Sequence, residues 1–279
     1  MPKGVYDEVL DEKYSGVKYI LSPRERSKEI NSEKVQRLID CGMLFADFGW
    51  APAYNQTGSS GNLSFRDEKG IVVTATNTSL GNLKQEDMMR VVDVDYETDP
   101  PTVYYETSGD RKPTSELLAH WEIYKKRPGI SVILHGHDQV TTRMAGVISR
   151  YSPNLAGRTE TNLPYGTKEF ANALRDITDD NRLYLVAKGH GFFSLGEEFD
   201  EALFYSRVIH LLTQVSRPFV AVRHSRVVEA ILPDRLNGGA RRITHNLEGL
   251  VKIAAKIGGA KLYSRVGRLI VGLKQHRKL

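Results

Sequence analysis

The chain has 279 residues, 40% of them hydrophobic and 26% charged, with a formal net charge of +5. This composition is typical of a soluble globular protein and excludes collagen-like and low-complexity chains. A single cysteine, Cys41, excludes a disulfide framework, and no apolar run approaches the roughly 20 residues of a membrane-spanning helix. Residues 1–13 are charged and contain no apolar signal segment, so we expect a cytoplasmic protein.

The first half of the chain is predicted to contain an arm, a helix and three strands. Residues 1–30 are polar and weakly patterned, which is typical of an arm. A helix is predicted from the N-cap residues Asn31 and Ser32 to about Phe48, with Cys41 among its core residues. Three strands are predicted next, the first after the glycine-rich turn 57–61, the second from Gly70 and the third from Met88.

The second half mixes helices and strands without strict alternation. Helices are predicted at 115–127, 141–149, 167–177 and 199–215, and strands at 130–134, 182–187 and 192–195. This pattern predicts an α/β sandwich with a central, mostly antiparallel sheet flanked by helices. We expect three parts: the arm 1–30, a main domain 31–232 and a C-terminal helical extension 233–279.

The extension differs from the rest of the chain in charge. Residues 241–279 carry a net charge of +9, so everything before them sums to −4. Apolar residues at helical spacing, interrupted by Gly258 and Gly259, predict two basic amphipathic helices. We favour packing of these helices on the main domain or on a neighbouring subunit. Contact with nucleic acid or an anionic membrane, or attraction of an anionic substrate, are the less favoured alternatives.

Three histidines stand in two short strings. His135 and His137 follow an apolar strand, and His190 lies between two glycines. Side chains two positions apart on a strand point to the same face, so His135 and His137 can bind one ion together. Three neutral imidazoles with an open position are typical of a catalytic metal site. A lone His-x-His pair is as often an ordinary pair at the end of a strand, so the surrounding motifs decide.

Five strings occur in order: Gly58-Ser-Ser-Gly-Asn-Leu-Ser64, Thr74-Ala-Thr-Asn77, Pro113-Thr-Ser-Glu116, His135-Gly-His137 and Gly189-His-Gly191. This set resembles the class II aldolase/adducin family over roughly residues 31–215. The resemblance implies a class II aldolase-like sandwich with 31–232 as its catalytic domain. It also implies a homotetramer with active sites at the subunit interfaces.

The resemblance implies a role for each of these motifs. Glu116 is the general acid/base; desolvation and a neighbouring anion are expected to raise its pKa. Asn77 stands where a glycine is usual, and asparagine tolerates the left-handed backbone better than most residues. The implied ligands of a divalent metal, which three imidazoles suggest is zinc, are His135, His137 and His190. The implied phosphate-binding residues are Asn62, Thr76, Asn77, Thr114 and Ser115.

The implied reaction is the metal-dependent cleavage of a small phosphorylated ketose. The products are dihydroxyacetone phosphate and an aldehyde, formed through a metal-stabilised enediolate. Epimerase-type relatives usually have Ser-Asp where this chain has Ser115-Glu116, which favours the aldolase. Decarboxylase, dehydratase or epimerase chemistry on the same scaffold and a non-catalytic, adducin-like binding protein remain the alternatives.

Other titratable residues are assigned by position. The family uses a tyrosine as proton donor, and the candidates are Tyr151, Tyr165 and Tyr263. Asp138 is expected to cap the next helix rather than to orient an imidazole. His120 is expected to be structural, and no role is assigned to His210, His224, His245 or His276.

Overall fold

The computed structural model describes residues 16–25, 29–107, 109–151, 156–179 and 181–220. Its strands are β1 (Ile20–Glu25), β2 (Asn62–Asp67), β3 (Gly70–Thr74), β4 (Met88–Asp95), β5 (Thr102–Thr107), β6 (Val132–Gly136), β7 (Ala156–Arg158), β8 (Tyr184–Ala187) and β9 (Gly191–Gly196). Its helices are α1 (Ser32–Asp47), α2 (Leu117–Lys126), α3 (Gln139–Arg143), α4 (Ala145–Tyr151), α5 (Lys168–Ile177) and α6 (Phe199–Val220).

The nine described strands form one sheet in the order β1-β5-β4-β3-β2-β6-β9-β8-β7. Only the outermost pairs, β1 with β5 and β7 with β8, are parallel. The six inner pairs are antiparallel, which confirms the predicted mostly antiparallel sheet. The α/β architecture with helices flanking a central sheet is also as predicted.

Three strands were not predicted from the sequence. β1 lies within the predicted arm and contains Pro23, a residue that disfavours strands except at a sheet edge, where β1 lies. β5 follows two prolines, and β7 has only three residues, one of them glycine. The predicted helix 141–149 is two short helices, α3 and α4, separated at Met144.

Cys41 lies in α1 and is 3% exposed, as expected for a core residue. Burial raises the pKa of its thiol to about 12, so the group stays protonated at neutral pH.

Residues 1–15 of the arm and the whole of 233–279 lie outside the described residues. None of the helices in the described ranges combines the length and the apolar character that crossing a membrane requires.

Candidate metal centre and anion pocket

The three histidines meet at the junction of two neighbouring strands. His135 lies near the end of β6 and His137 follows that strand, while His190 precedes β9. Because β6 and β9 are antiparallel, with Gly136 opposite Phe192, the end of β6 lies beside the start of β9. Strand pairing therefore brings together histidines that are far apart in sequence.

Glu116 reaches the histidines from the start of α2, of which it is the N-cap residue. Its Oε2 atom lies 3.1 Å from Nε2 of His135 and 3.1 Å from Nε2 of His190. Nε2 of His137 lies 3.1 Å from Nε2 of His135. One oxygen and three nitrogens thus lie within 4.8 Å of one another. We call these four side chains the His–Glu cluster.

The donor atoms of the His–Glu cluster fit a divalent cation. Nδ1 of His135 donates a hydrogen bond to the carbonyl oxygen of Phe192 (2.7 Å), which orients the ring so that Nε2 points toward the other ligand atoms. Burial, reinforced by His190 and His135, holds the pKa of His137 well below its usual range, so this ring is neutral. Imidazole nitrogens together with a carboxylate oxygen are a ligand set that zinc and similar cations accept.

The structure corrects the expected direction of the pKa shift at Glu116. Burial raises the pKa of this carboxyl group, as expected from the sequence. The charges and hydrogen bonds of His135 and His190 outweigh burial and hold the pKa well below its usual range. Glu116 is therefore ionised at neutral pH, the state in which a carboxylate binds a cation or accepts a proton.

A cleft opens beside the His–Glu cluster, and two hydrogen-bonded segments form part of its wall. The backbone N–H of Thr114 donates to the carbonyl of Thr74 (3.0 Å), and that of Thr76 donates to the carbonyl of Lys112 (2.9 Å). Glu116, His137 and His190 line the cleft, so it reaches the cluster. All five predicted phosphate-binding residues line it as well: Asn62, Thr76, Asn77, Thr114 and Ser115.

Asn77 adopts the left-handed backbone conformation that its position requires. Its φ is 55°, and among the described residues it is the only non-glycine with a positive φ. Its Oδ1 accepts a hydrogen bond from Nδ2 of Asn55 (2.8 Å). Asparagine therefore maintains the turn where the family pattern has glycine.

Four further residues with polar side chains line the cleft without having been predicted. Ser59 and Ser60 belong to the same glycine-rich string as Asn62, so their position in that string was a usable signal. Tyr54 and Thr78 also line the cleft. Nothing in the sequence around Tyr54 indicates this position, because it depends on how the loop before the string folds back.

One of the three candidate tyrosines lies in the cleft. Tyr165 lines it, and its ring stacks on His190 with the ring centroids 5.8 Å apart. The side chain of Tyr151 and the whole of Tyr263 lie outside the described part of the chain.

Asp138 caps the next helix, as expected from the sequence. Its Oδ1 accepts a hydrogen bond from the backbone N–H of Val140 (3.0 Å) at the start of α3. Its Oδ2 lies 2.5 Å from Nδ1 of His210, a histidine to which no role was assigned. His224, His245 and His276 lie outside the described residues.

Comparison with known proteins adds independent findings. A sequence profile described as Class II Aldolase and Adducin N-terminal domain matches residues 36–216. The chain is 29% identical over 168 residues to an L-fuculose phosphate aldolase of Methanococcus vannielii, covering 57% of this chain and 84% of that protein. It is 23% identical over 202 residues to a methylthioribulose-1-phosphate dehydratase of Pseudoalteromonas translucida, covering 65% and 89%.

A solved structure shows the same fold. It is that of an L-fuculose 1-phosphate aldolase, and it aligns with a TM-score of 0.57 at 19% identity. The alignment covers 80% of this chain and 98% of the other chain. At this identity the likeness concerns the fold alone.

Proposed function

This chain belongs to the class II aldolase and adducin family, and from that membership we propose a specific reaction for its metal-dependent lyase site. The proposed reaction is cleavage of a small phosphorylated ketose to dihydroxyacetone phosphate and an aldehyde. The observation that carries the proposal is the His–Glu cluster at one end of a cleft lined with hydroxyl and amide side chains.

His135, His137 and His190 would hold the metal, which we propose is zinc. A bound divalent cation supplies Lewis acidity that stabilises the negative charge developing on substrate oxygens as the carbon–carbon bond breaks. The ionised carboxylate of Glu116 moves the proton at the nucleophilic carbon. Its Oε1 accepts a hydrogen bond from Nδ2 of Asn62 (3.3 Å), which orients the carboxylate.

The phosphate end of the substrate is assigned to the other part of the cleft. A phosphate group needs several donors, and the cleft offers the hydroxyl groups of Thr76, Thr114 and Ser115 with the amides of Asn62 and Asn77. Thr114 and Ser115 directly precede the N-terminal end of α2, where the helix dipole favours an anion.

We assign to Tyr165 the role of donating a proton to the oxygen of the leaving aldehyde. Its position in the cleft beside His190 supports this choice over the other two candidates.

We further propose that the protein is a cytoplasmic homotetramer with active sites at its subunit interfaces. A mass in solution other than four chains would contradict the tetramer.

A sugar-phosphate dehydratase is the second candidate function. The similarity to a methylthioribulose-1-phosphate dehydratase, which extends over 65% of this chain, favours it. A dehydratase keeps the carbon chain of its substrate intact, whereas an aldolase releases dihydroxyacetone phosphate. Product analysis therefore separates the two.

The proposal is tested by metal analysis and turnover on the same samples. Purified wild type and His135→Ala are analysed for metal, and each is assayed with a panel of ketose 1-phosphates for release of dihydroxyacetone phosphate. We expect about one metal ion per chain in the wild type and loss of both metal and cleavage in the variant. His276→Ala, which changes a histidine outside every motif, is the matched control and should retain both.

Two outcomes would overturn the proposal. Stoichiometric metal without release of dihydroxyacetone phosphate from any ketose would replace the aldolase by dehydratase, decarboxylase or epimerase chemistry. Purified wild type without stoichiometric metal would contradict the assignment of the metal site itself.

A further inference from the structure

A segment outside the region matched by the family profile contacts the cleft. Residues 16–25, which we call the strap, precede the matched range 36–216. The second part of the strap is β1, which pairs in parallel with β5 from Ile20 opposite Thr102 to Glu25 opposite Thr107. The sheet thereby anchors the strap, and Lys18 and Tyr19 lie immediately before the anchored part.

Tyr19 is bonded to the loop that carries two of the proposed phosphate-binding residues. Its side chain is buried, and its hydroxyl group lies 2.8 Å from the carbonyl oxygen of Thr114 and 3.2 Å from that of Pro113. One hydroxyl proton is thus shared between two adjacent carbonyl groups. The bond fixes the backbone from which the side chains of Thr114 and Ser115 extend into the cleft.

Lys18 is bonded to a second segment of the cleft wall. Its Nζ donates a hydrogen bond to the backbone carbonyl oxygen of Tyr165 (2.6 Å). The same Nζ lies 4.3 Å from the centre of the Tyr165 ring. Gly166 shows how closely these segments approach, because a Cβ atom built there would lie 2.6 Å from the carbonyl oxygen of Ser115. The strap therefore contacts both the Thr114–Ser115 loop and the Tyr165 segment.

We propose that the strap is part of the substrate-binding machinery, with Tyr19 and Lys18 as positioning residues. Tyr19 acts through the Thr114–Ser115 loop on the phosphate end of the cleft, and Lys18 acts through Tyr165 on the reacting end. This inference rests on the proposed function, in which those two ends bind a sugar phosphate. Its physical basis is that binding groups must be held in place before the ligand arrives, or their ordering reduces the affinity.

The two residues are expected to produce different kinetic effects. Tyr19→Phe removes only the hydroxyl group, so it should raise the Kd for phosphate and the KM for the substrate while kcat changes little. Lys18→Met keeps the aliphatic stem and removes the ammonium group, so it should lower kcat while phosphate binding changes little. A strap that served folding alone would not separate these parameters.

The experiment uses the full-length, metal-loaded protein and inorganic phosphate as the probe. Calorimetric titration measures the Kd, and steady-state kinetics on the cleaved ketose phosphate measure KM and kcat. We expect Tyr19→Phe to weaken phosphate binding about fivefold, the effect of losing one ordinary hydrogen bond. Tyr104→Phe is the matched control, since Tyr104 lies on β5 with its ring packed under Arg24 at the other end of the strap.

The outcomes separate the inference from the proposed function. If wild type binds phosphate and turns over substrate while Tyr19→Phe matches Tyr104→Phe in Kd and KM, the role of Tyr19 is wrong. If wild type itself binds no phosphate, the proposed sugar-phosphate site is wrong, and the inference that rests on it is overturned with it. Should Tyr19→Phe not fold, Lys18→Met decides, because an unchanged kcat in that variant overturns the inference.

Discussion

At the scale of single residues, a buried chain of hydrogen bonds sets the orientation of Asn62. Nε2 of His120 donates to Oδ1 of Asn62 (2.5 Å), and the hydroxyl of Ser64 donates to Nδ1 of His120 (2.7 Å). Burial lowers the pKa of His120 to about 3, so its ring is neutral and can donate on one side while accepting on the other. The amide nitrogen of Asn62 is thereby turned toward Glu116.

We predict that His120→Leu lowers the free energy of unfolding by about 2 kcal/mol, because buried oxygens of Asn62 and Ser64 lose a partner. The measurement is urea-induced unfolding of wild type, His120→Leu, Ser64→Ala and the double variant. Ser64→Ala is the matched comparison, since it removes the Ser64–His120 bond of the same network together with the bond between Ser64 and the hydroxyl of Tyr124 (2.9 Å). The double variant should cost less than the sum of the single variants, and strictly additive costs would contradict a coupled network.

At the scale of elements, two glycines let separate strands approach His135. Gly61, immediately before β2, has a φ of +87°, and a Cβ atom there would lie 2.7 Å from the carbonyl oxygen of His135. A Cβ atom on Gly191, the first residue of β9, would lie 2.9 Å from Cε1 of the same histidine. The glycines of two motif strings thus permit strand packing around a proposed metal ligand.

We predict that Gly61→Ala destabilises the fold by about 2 kcal/mol and weakens metal binding, because alanine is strained at positive φ and collides with the backbone of β6. Gly129→Ala is the matched control, since a Cβ atom there meets nothing within 4 Å. Unfolding curves and metal titrations on both variants provide the measurement. Equal stability and equal metal affinity in the two variants would refute this account of Gly61.

At the scale of the whole molecule, the proposed site lies near the middle of the sheet. β2, β6 and β9 are consecutive strands, and each carries or adjoins a residue of the proposed site: Asn62, His135 and His190. Strands held on both sides are less free to fray than edge strands, so the donor atoms are held in fixed positions. The strap reaches the same site from the sheet edge.

The basic extension also belongs to this scale, since its net charge of +9 opposes the −4 of the preceding residues. From the favoured packing of its helices, we predict that deleting residues 236–279 changes the oligomeric state and lowers turnover. Light scattering after size-exclusion chromatography gives the mass, and the dihydroxyacetone phosphate assay gives the turnover. A deletion variant with unchanged mass and unchanged turnover would rule out the packing hypothesis.

The sequence by itself determined the fold class, the family and the residues proposed to carry the chemistry. His135 and His137 have the spacing of a metal-binding pair on a strand, and the resemblance to the family implies the phosphate-binding residues, so both sets could be named without coordinates. The structure brings Glu116, the three histidines and the five predicted phosphate-binding residues to one cleft or to the cluster beside it.

Only the tertiary structure decided the contacts between distant segments. Tyr19 and Thr114 are 95 positions apart, and His210 and Asp138 are 72 apart, so no local pattern predicts either pair. The pKa of Glu116 was likewise misjudged, because its direction depends on which charged groups packing places around the carboxylate. Local spacing encodes chemical identity, whereas the positions and electrostatics of these groups arise from long-range packing of the folded chain.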